Sequence, residues 1–516
     1  MTDQQLRLAL GQRMMAGFPG TEPDEHFLRA VREYKVGNVI LFSHNITSRR
    51  QMAELCGGLR RLIRAETGCE PFIAIDQEGG IVTRLPGELV NVPGAMAIAA
   101  TGDPKNAYRM GRVTAAQLRA VGVDLNFAPV LDVNSNPDNP MIGVRSFGDD
   151  PERVGRFGAA AAQGLLDGGV FPCVKHFPGY GDAAVDSHLD LPGVDRPLEE
   201  LERRELAPYA LAGDCPVLMT AHILFPRLEP DGVPATMSRR ILTGLLRRRM
   251  GYRGLVVTDC MEMDAIQKFY GSVPGGVAAL GAGADIILYS HTPALAGQAV
   301  EAAEAAVADG RLDAAELADS VARIRAAKAR LAALEPAPGE PDGPRCRAWV
   351  RRVLEESITA VRLPDGRVPP LGEDPLFLGC REYRTSRVSD RAADLNFPER
   401  MAQLAGRGEA LVIPVEPGPD DIAALVRAAA GHSSLVLATC NAHLVRGQLE
   451  LAGALAETGI PLIVAALRDP YDLAWTPETA AALCAWEYSA GSLDALWGVL
   501  SGARMPVGVL PLERLK

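Results

Sequence analysis

Residues 171–181 read FPCVKHFPGYG, and this stretch contains the pattern that decides the fold. A mostly apolar run passes through Cys173 and Val174, the polar pair Lys175-His176 follows it, and a Pro-Gly segment then turns the chain. A continuous apolar run of this length is typical of a β-strand that is covered on both faces. The stretch therefore predicts a buried strand that ends in a polar loop.

The same pattern recurs along the first 335 residues, where apolar runs alternate with helical stretches. The predicted strands are Met14–Phe18, Asn38–Phe42, Phe72–Asp76, Leu125–Asp132, Phe171–His176, Val217–His222, Leu255–Asp259 and Asp285–Tyr289. Helices predicted between them include Arg50–Ala65, Asn106–Ala120, Glu152–Leu166 and Leu198–Ala212. Eight strands alternating with helices is the number found in a (β/α)8 TIM barrel, and an open, doubly wound sheet is the alternative with the same alternation.

Most of the predicted strands end in polar residues. These ends are residues 43–45, 76–78, Asp132, 175–176, His222, Asp259 and 290–291. In a barrel they would share the carboxyl-end rim, where active sites are built. The histidines at or just beyond such ends are His44, His176, His188, His222 and His291. Because that is most of the eight histidines in the chain, the pattern favours a function for this rim.

A second, smaller domain is predicted after residue 345. The segment Glu335–Pro344 is rich in proline, glycine and acidic residues, and it follows a predicted helix, Ala314–Ala333. Such a composition is typical of a linker. We therefore expect a barrel domain at residues 1–335, a linker at 336–345 and an α/β sandwich domain at 346–516. Its predicted parallel strands are Leu376–Gly379, Ala410–Pro414, Ser434–Thr439 and Pro461–Leu467.

The composition excludes several classes of function. A net charge of −11 argues against a nucleic-acid binder, and no stretch reaches the roughly 18 apolar residues of a membrane-spanning helix. The first twenty residues lack the pattern of a secretory signal. The nine cysteines show no C-x-x-C spacing, which fits reduced thiols and predicts a cytoplasmic protein.

The densest group of reactive side chains lies between Lys175 and His188. It includes the pair Asp186 and His188, and an aspartate beside a histidine can fix its tautomer and stabilise its charged form. This segment predicts an acid/base site, whereas the alternative is an ordinary polar loop. A lone Asp-x-His pair favours that alternative, and the Lys-His pair at the strand end just upstream shifts the balance toward the site.

Three further positions have two interpretations each. Asp259 closes an apolar strand and is either a nucleophile aimed into the barrel mouth or a helix N-cap. Asp76 either accepts hydrogen bonds from a hydroxylated ligand or caps a turn. Arg145 either binds a polar ligand or pairs with the neighbouring Asp149 or Asp150.

Other hydrolase patterns are missing from the sequence. It has no G-x-S-x-G segment, no H-E-x-x-H segment and no glycine-rich phosphate loop. A metal-dependent amidohydrolase barrel also gathers histidines and aspartates at strand ends, but it usually begins with a His-x-His pair, and none is present here. A metal-dependent barrel of this kind therefore stays an alternative at the level of the residues alone.

Taken together, the polar segments resemble glycoside hydrolase family 3, in its N-acetylglucosaminidase branch. The matching segments are IDQEGG at 75–80, RSFG at 145–148, KHFPGYG at 175–181 with DSH at 186–188, and VVTD at 256–259. They occur in the order of the family, so the resemblance covers about residues 10–335. ALRDPYDL at 466–473, with Tyr488 and Ser489, is similar to the second, α/β sandwich domain of the family.

The resemblance implies a retaining exo-β-N-acetylglucosaminidase that acts on a carbohydrate, with peptidoglycan-derived fragments as the expected substrates. It implies that Asp259 is the nucleophile and that His188 is the general acid/base, tuned by Asp186. It also implies that the sugar is held by Asp76, Arg145, Lys175 and His176, with support from Arg84. No metal or cofactor is implied.

Two alternatives keep the fold and change the reaction, to a phosphorylase or to a β-glucosidase. A glucosidase is disfavoured because such members usually take their acid/base from the second domain. A third alternative is a non-catalytic sugar-binding protein. The chain also departs from the family at Tyr180, where a histidine is usual, and at Cys260, where an acidic or small residue is common.

Overall fold

The structure is a computed structural model that describes residues 2–183, 191–336, 339, 341–383 and 394–515. Its strands form one closed barrel of eight parallel strands and one separate six-stranded sheet. The predicted combination of a (β/α)8 TIM barrel with a smaller α/β domain is thus confirmed. The open-sheet alternative for the first domain is wrong, because the eighth strand pairs with the first.

All eight barrel strands lie where the sequence predicts them. They are β1 (Met14–Ala16), β2 (Asn38–Leu41), β3 (Ile73–Ile75), β4 (Leu125–Asn126), β5 (Phe171–Phe177), β6 (Val217–Thr220), β7 (Leu255–Cys260) and β8 (Ile286–Tyr289). The prediction for β4 is too long. Beyond Asn126 the regular strand ends, although the backbone still bonds to β5: the N–H of Cys173 donates to Ala128, and Val130 forms an isolated bridge to Lys175. Pro129, which has no N–H to donate, interrupts the regular pattern there.

The α-helices surround the barrel and cover the second sheet. They are α1 (Asp3–Gln12), α2 (Glu25–Arg32), α3 (Arg49–Thr67), α4 (Ala95–Ala100), α5 (Pro104–Ala120), α6 (Pro151–Asp167), α7 (Leu198–Arg203), α8 (Ala207–Ala212), α9 (Asp264–Gln267), α10 (Ser272–Ala282), α11 (Pro293–Ala308), α12 (Ala314–Ala332), α13 (Pro344–Ser357), α14 (Phe397–Ala405), α15 (Pro419–Ala429), α16 (Gly447–Ala456) and α17 (Ala490–Leu500), and a π-helix spans Arg240–Arg249. The prediction of one helix over Leu198–Ala212 is wrong. Pro208 fits only the first turn of a helix, so α8 begins anew just before it.

The strands of the second sheet are β9 (Thr359–Arg362), β10 (Pro375–Gly379), β11 (Glu409–Val412), β12 (Ser434–Thr439), β13 (Leu462–Ala466) and β14 (Ala481–Cys484). Their order in the sheet is β11-β10-β12-β13-β14-β9. The four predicted strands are present and parallel, whereas β14 and the antiparallel edge strand β9 were not predicted. The carboxyl ends of the parallel strands share one edge of this sheet.

The predicted linker lies between α12 and α13. α12 ends at Ala332, and α13 already begins at Pro344, near the end of the predicted linker. α13 then packs against α4 from the first region and α17 from the second. The domain bounds at residues 335 and 346 remain a prediction.

One buried carboxylate anchors the amino end of the barrel. The side chain of Asp285, which precedes β8, is fully buried and accepts hydrogen bonds from Arg247 at 2.6 Å and from Arg323 at 2.9 Å. It also accepts the backbone N–H of Val256 at 2.9 Å and the hydroxyl of Ser320 at 2.7 Å. Asp285 therefore joins β7, β8, α12 and the π-helix.

We expect Asp285→Ala to lower the free energy of unfolding by about 3–5 kcal/mol, because it leaves two arginines without their buried counterion. Denaturation by guanidinium chloride measures the change. The matched control is Glu33→Ala, which breaks the exposed pair of Glu33 with Arg29 and should cost less than about 0.5 kcal/mol. Equal losses in the two variants would contradict the anchoring role.

Candidate active site

Three of the predicted site residues continue the inward-facing positions of barrel strands. Phe72 and Ala74, Phe171 and Cys173, and Leu255 and Val257 belong to the cluster that fills the barrel interior. Side chains alternate along a strand, so the next inward positions are Asp76, Lys175 and Asp259. These residues extend β3, β5 and β7, and alternate strands of a barrel contribute to the same layer. The fold therefore directs two carboxylates and one amine into the barrel mouth.

Lys175 is held between two carboxylates. Its Nζ lies 2.7 Å from Asp76 Oδ1 and 2.7 Å from Glu78 Oε1. The Lys175 side chain is 3% exposed and that of Asp76 is 17% exposed. Burial lowers the pKa of Lys175, but the charges of Asp76 and Glu78 outweigh it, so its pKa is raised and the amine stays protonated. Asp76 is the member of this group that reaches toward the open rim.

Arg145 binds the same glutamate in a bidentate pair. Its Nε donates to Glu78 Oε2 at 2.9 Å, and its Nη2 donates to Glu78 Oε1 at 2.8 Å. Burial raises the pKa of Glu78, but the charges of Arg145 and Lys175 outweigh it and hold the pKa well below its ordinary value. The interpretation of Arg145 as a partner of Asp149 or Asp150 is therefore not the observed pairing. Asp76, Glu78, Arg145 and Lys175 form a buried network of two negative and two positive charges.

His176 is oriented by a second buried carboxylate. Its Nδ1 lies 2.6 Å from Asp132 Oδ2, and the Asp132 side chain is completely buried. Asp132 Oδ1 also accepts the backbone N–H of Tyr180 at 2.6 Å. With Nδ1 bonded to Asp132, Nε2 is the atom of His176 that remains for a ligand. The ring of Tyr180 packs edge-on against the imidazole, with 6.0 Å between the ring centroids.

Asp259 lies on β7, near its end, and is partly exposed, unlike the fully buried residues that precede it on the strand. Its Oδ1 accepts the backbone N–H of Cys260 at 2.7 Å. Its charge also acts on the thiol of Cys173 in the barrel interior, as do the charges of Asp76 and Lys175. Burial raises the pKa of that thiol well above its ordinary value. Asp259 therefore lies within electrostatic range of the same interior position as Asp76 and Lys175.

The remaining rim residues separate into two groups. The guanidinium of Arg84 lies over the ring of Phe42, which also packs against His44 and His291. His222 is buried, and its Nδ1 and Nε2 bond to the Thr236 hydroxyl and the Cys260 carbonyl, both at 2.9 Å. Both ring nitrogens of His222 are thus bonded within the protein, and Arg84, His44 and His291 share Phe42 as a neighbour.

Asp186 and His188 lie in residues 184–190, outside the described part of the chain. The structure describes the segment just before them. Asp182 binds Arg196 and Arg204, both at 2.9 Å, and Arg204 in turn pairs with the buried Glu205. The start of the predicted acid/base loop is therefore attached to the barrel by ion pairs.

Glu78 and Asp132 were not predicted as site residues. Both were visible as polar residues at strand ends, but their partners, Arg145 and His176, are distant in sequence. A usable signal was the need of any buried lysine or arginine for a counterion. Within the described ranges, no group of three or more metal-ligating side chains is arranged to hold a metal ion, and no helix is long and apolar enough to cross a membrane.

Comparisons with known proteins agree with this geometry. The family model described as "Glycosyl hydrolase family 3 N terminal domain" matches residues 5–327. A β-hexosaminidase A of Pseudoalteromonas piscicida is 38% identical over 276 residues, which are 50% of this chain and 46% of that protein. This chain therefore matches less than half the length of that relative. A β-hexosaminidase of Bordetella parapertussis is 38% identical over 330 residues, which are 62% of this chain and 89% of that protein.

A solved structure extends the similarity to the second domain. It is a glycoside hydrolase family 3 β-N-acetylglucosaminidase from Paenibacillus sp. str. FPU-7, with a TM-score of 0.91 and 38% identity. The match covers 98% of each chain. The fold, the charged barrel mouth and these matches define the protein as a glycoside hydrolase. It belongs to glycosyl hydrolase family 3.

We expect Glu78→Gln to destabilise the protein by about 3–5 kcal/mol at pH 7, because Arg145 and Lys175 lose a buried counterion. Because the pKa of folded Glu78 lies below its ordinary value of 4.5, its stabilising effect is complete above that value and is lost as the pH falls. The difference in unfolding free energy between wild type and variant should therefore shrink below about pH 4.5.

Urea denaturation at a series of pH values from 7 to 3.5 measures this difference. The control is Glu33→Gln, in an exposed pair, for which the difference should stay small throughout. A difference for Glu78→Gln that stays constant down to pH 3.5 would show that the carboxylate is not stabilised by its neighbours.

Proposed function

We propose that the protein is a retaining exo-β-N-acetylglucosaminidase that removes terminal β-linked N-acetylglucosamine. One observation carries the proposal. Asp76, Lys175 and Asp259 each occupy the next inward-facing position at the carboxyl end of β3, β5 and β7. That arrangement offers a hydrogen-bonding pair for sugar hydroxyls beside a separate carboxylate that can act as a nucleophile. The names of the β-hexosaminidase and β-N-acetylglucosaminidase relatives support the choice of sugar.

In the proposed first step, Asp259 attacks the anomeric carbon. A bond forms between this carbon and a carboxylate oxygen, and the bond to the leaving-group oxygen breaks. His188, oriented by Asp186, gives its proton to that oxygen. The product is a covalent glycosyl-enzyme, which is the intermediate of retaining glycosidases.

In the second step, His188 removes a proton from water as the water attacks the anomeric carbon, and the carboxylate of Asp259 leaves. We favour water over phosphate because Arg145 and Lys175 are already neutralised by Glu78 and Asp76. The network therefore carries no excess positive charge that would attract an anion. The resulting sugar retains its β configuration.

The ligand-binding part of the mechanism falls to the charge network. Asp76, Arg145, Lys175 and His176 are proposed to bind the hydroxyl groups of the sugar, and Arg84 supports the pocket wall. Lys175 and Arg145 are immobilised before the ligand arrives, so little ordering is required on binding.

We also propose that the natural substrates are peptidoglycan-derived fragments in the cytoplasm. All nine cysteines are free thiols, and eight of them are buried, which suits a reducing compartment. No metal or cofactor takes part in the proposed mechanism.

The substrate prediction is tested with 4-nitrophenyl β-N-acetylglucosaminide and 4-nitrophenyl β-glucoside, each with and without inorganic phosphate. We expect kcat/KM to favour the N-acetylglucosaminide by on the order of 100-fold, because a site built for the acetamido group leaves polar atoms unpaired with glucose. Phosphate should change neither the rate nor the product. Faster cleavage of the glucoside, or release of a sugar 1-phosphate, would replace the proposal with one of its alternatives.

The nucleophile is tested with Asp259→Asn. We expect kcat to fall by about 10⁴-fold or more, and we expect the mass increase seen when wild type reacts with an activated 2-fluoro sugar to disappear. Mass spectrometry of the intact protein measures the second effect. The control is Asp264→Asn at the start of α9, five residues further along the chain. Asp264 pairs with Lys268, and both labelling and turnover should persist in this variant. An Asp259→Asn variant that is still labelled and active would contradict the assignment of Asp259 as the nucleophile.

A further inference from the structure

Three barrel glycines lie beside the residues of the proposed sugar pocket. Gly80 is two residues after Glu78, Gly143 is two residues before Arg145, and Gly148 follows three residues after Arg145. Their φ angles are +56°, +43° and +136°, which residues other than glycine rarely adopt. The second domain packs against the backbone at each of them.

Asp469 packs against Gly143. A Cβ atom placed on Gly143 would collide with the carboxylate of Asp469, which follows β13 and is 5% exposed. Burial raises the pKa of Asp469 to about 7, against the opposing charge of His443. The contact with Gly143 is steric, so it depends on the shape and position of the Asp469 side chain.

Glu487 performs the same role at Gly80. A Cβ atom placed on Gly80 would meet Gly94 and would lie 3.2 Å from Glu487 Oε1. Glu487 follows β14, is 5% exposed, and accepts hydrogen bonds from the backbone N–H of Gly94 and from Ser489 Oγ. The turn after Glu78 is thereby packed between the barrel and the carboxyl edge of the second sheet.

The third contact comes from the C-terminal segment. A Cβ atom placed on Gly148 would collide with the carbonyl oxygen of Pro511, which also accepts a hydrogen bond from Arg153 at 2.8 Å. Beside it, Tyr471 of the second domain donates its hydroxyl to the backbone of Asn134 at 3.1 Å. The loop that bears Arg145 is therefore contacted by the second domain at Asn134, Gly143 and Gly148.

These contacts converge on one ion pair. Glu78 and Arg145 bind each other in a bidentate pair, and each lies two residues from a glycine that a second-domain carboxyl side chain contacts. Glycine allows a closer approach than any other residue, so a small shift of Asp469 or Glu487 changes the path of the barrel backbone. Displacements on the order of 1 Å in a binding network are enough to weaken it.

We propose that the second domain positions the Glu78–Arg145 pair through Asp469 and Glu487, which are positioning residues of the active site although neither belongs to the barrel. This inference rests on the proposed function for the role of the pair in binding sugar. It assigns the second domain a part in substrate affinity and none in the chemical step.

The test compares truncated and conservative variants of both residues, assayed well below their melting temperatures. Asp469→Ala and Glu487→Ala should each raise KM by about tenfold while kcat stays within about threefold, because the pair contributes to binding in both ground and transition states. Asp469→Asn and Glu487→Gln, which keep the shape, should stay within about twofold of wild type in KM. Glu487→Asp replaces the alanine variant if that variant does not fold.

The contact at Gly143 allows a sharper test. Gly143→Ala alone should raise KM, because the new methyl group collides with Asp469. In the double variant with Asp469→Ala, the methyl group enters the vacated space, so KM should rise by less than the product of the two single effects. Strictly multiplicative effects would overturn the assignment of Asp469.

The control for general instability is Leu451→Ala, a truncation in the core of the second domain on α16. It should lower the melting temperature without raising KM. The inference is wrong if Asp469→Ala and Glu487→Ala leave KM unchanged, or if Leu451→Ala raises KM by the same factor. All ratios are taken on a glycoside that wild type cleaves, so failure of the wild type on N-acetylglucosaminides refutes the proposed function separately.

Discussion

The buried charge network around Glu78 is the interaction on which the barrel mouth depends. A lysine and an arginine cannot remain charged in an enclosed site unless carboxylates neutralise them. Glu78 meets this requirement for both Lys175 and Arg145 at once, and Asp76 adds a second carboxylate for Lys175. The end of β3, the loop after β4 and the end of β5 are therefore fixed relative to one another. A sugar then encounters a pocket whose donors and acceptors are already in place, which limits the ordering that binding requires.

Carboxylates neutralise cationic side chains at both ends of the barrel. At the amino end the cluster joins elements of the fold, and at the carboxyl end it faces the proposed sugar pocket. At the amino end, Asp285 neutralises Arg247 and Arg323 and joins strands to helices, and its own side chain is fully buried although the two arginines are partly exposed. At the carboxyl end, Asp76 keeps 17% of its side chain exposed, so the network there still has a face for a ligand. The two clusters differ in the carboxylate, which is enclosed in Asp285 and partly open in Asp76. The second domain completes the enclosure of the upper network, because Asp469 and Glu487 occupy the space behind its loops.

The sequence predicted the strands that are continuous runs of strand-favouring apolar residues and missed two strands that are not. Strands such as β5 and β7 begin as apolar runs, so the local sequence is enough to predict them as strands. The edge strand β9 ends in Arg362 and is half-buried, and the alanine-rich β14 favours no strand by composition. The same distinction applies to the site. Lys175 and Asp76 were predicted from their strand ends and from the family resemblance, whereas Glu78 and Asp132 are defined by partners at least 44 residues away, which no local pattern reveals.

The P-G-x-G segment shows why one position of the motif can vary. A Cβ atom on Gly181 would collide with the carbonyl oxygen of Val133, and one on Gly179 would collide with Glu205, so both glycines are required by packing. The residue between them is held through its backbone, since the N–H of Tyr180 donates to Asp132 and its carbonyl accepts from Asn139. Neither bond depends on the side chain at that position. Tyrosine can therefore stand where the family usually has histidine without moving the start of the loop that leads to Asp186 and His188, and its ring takes on the separate task of packing against His176.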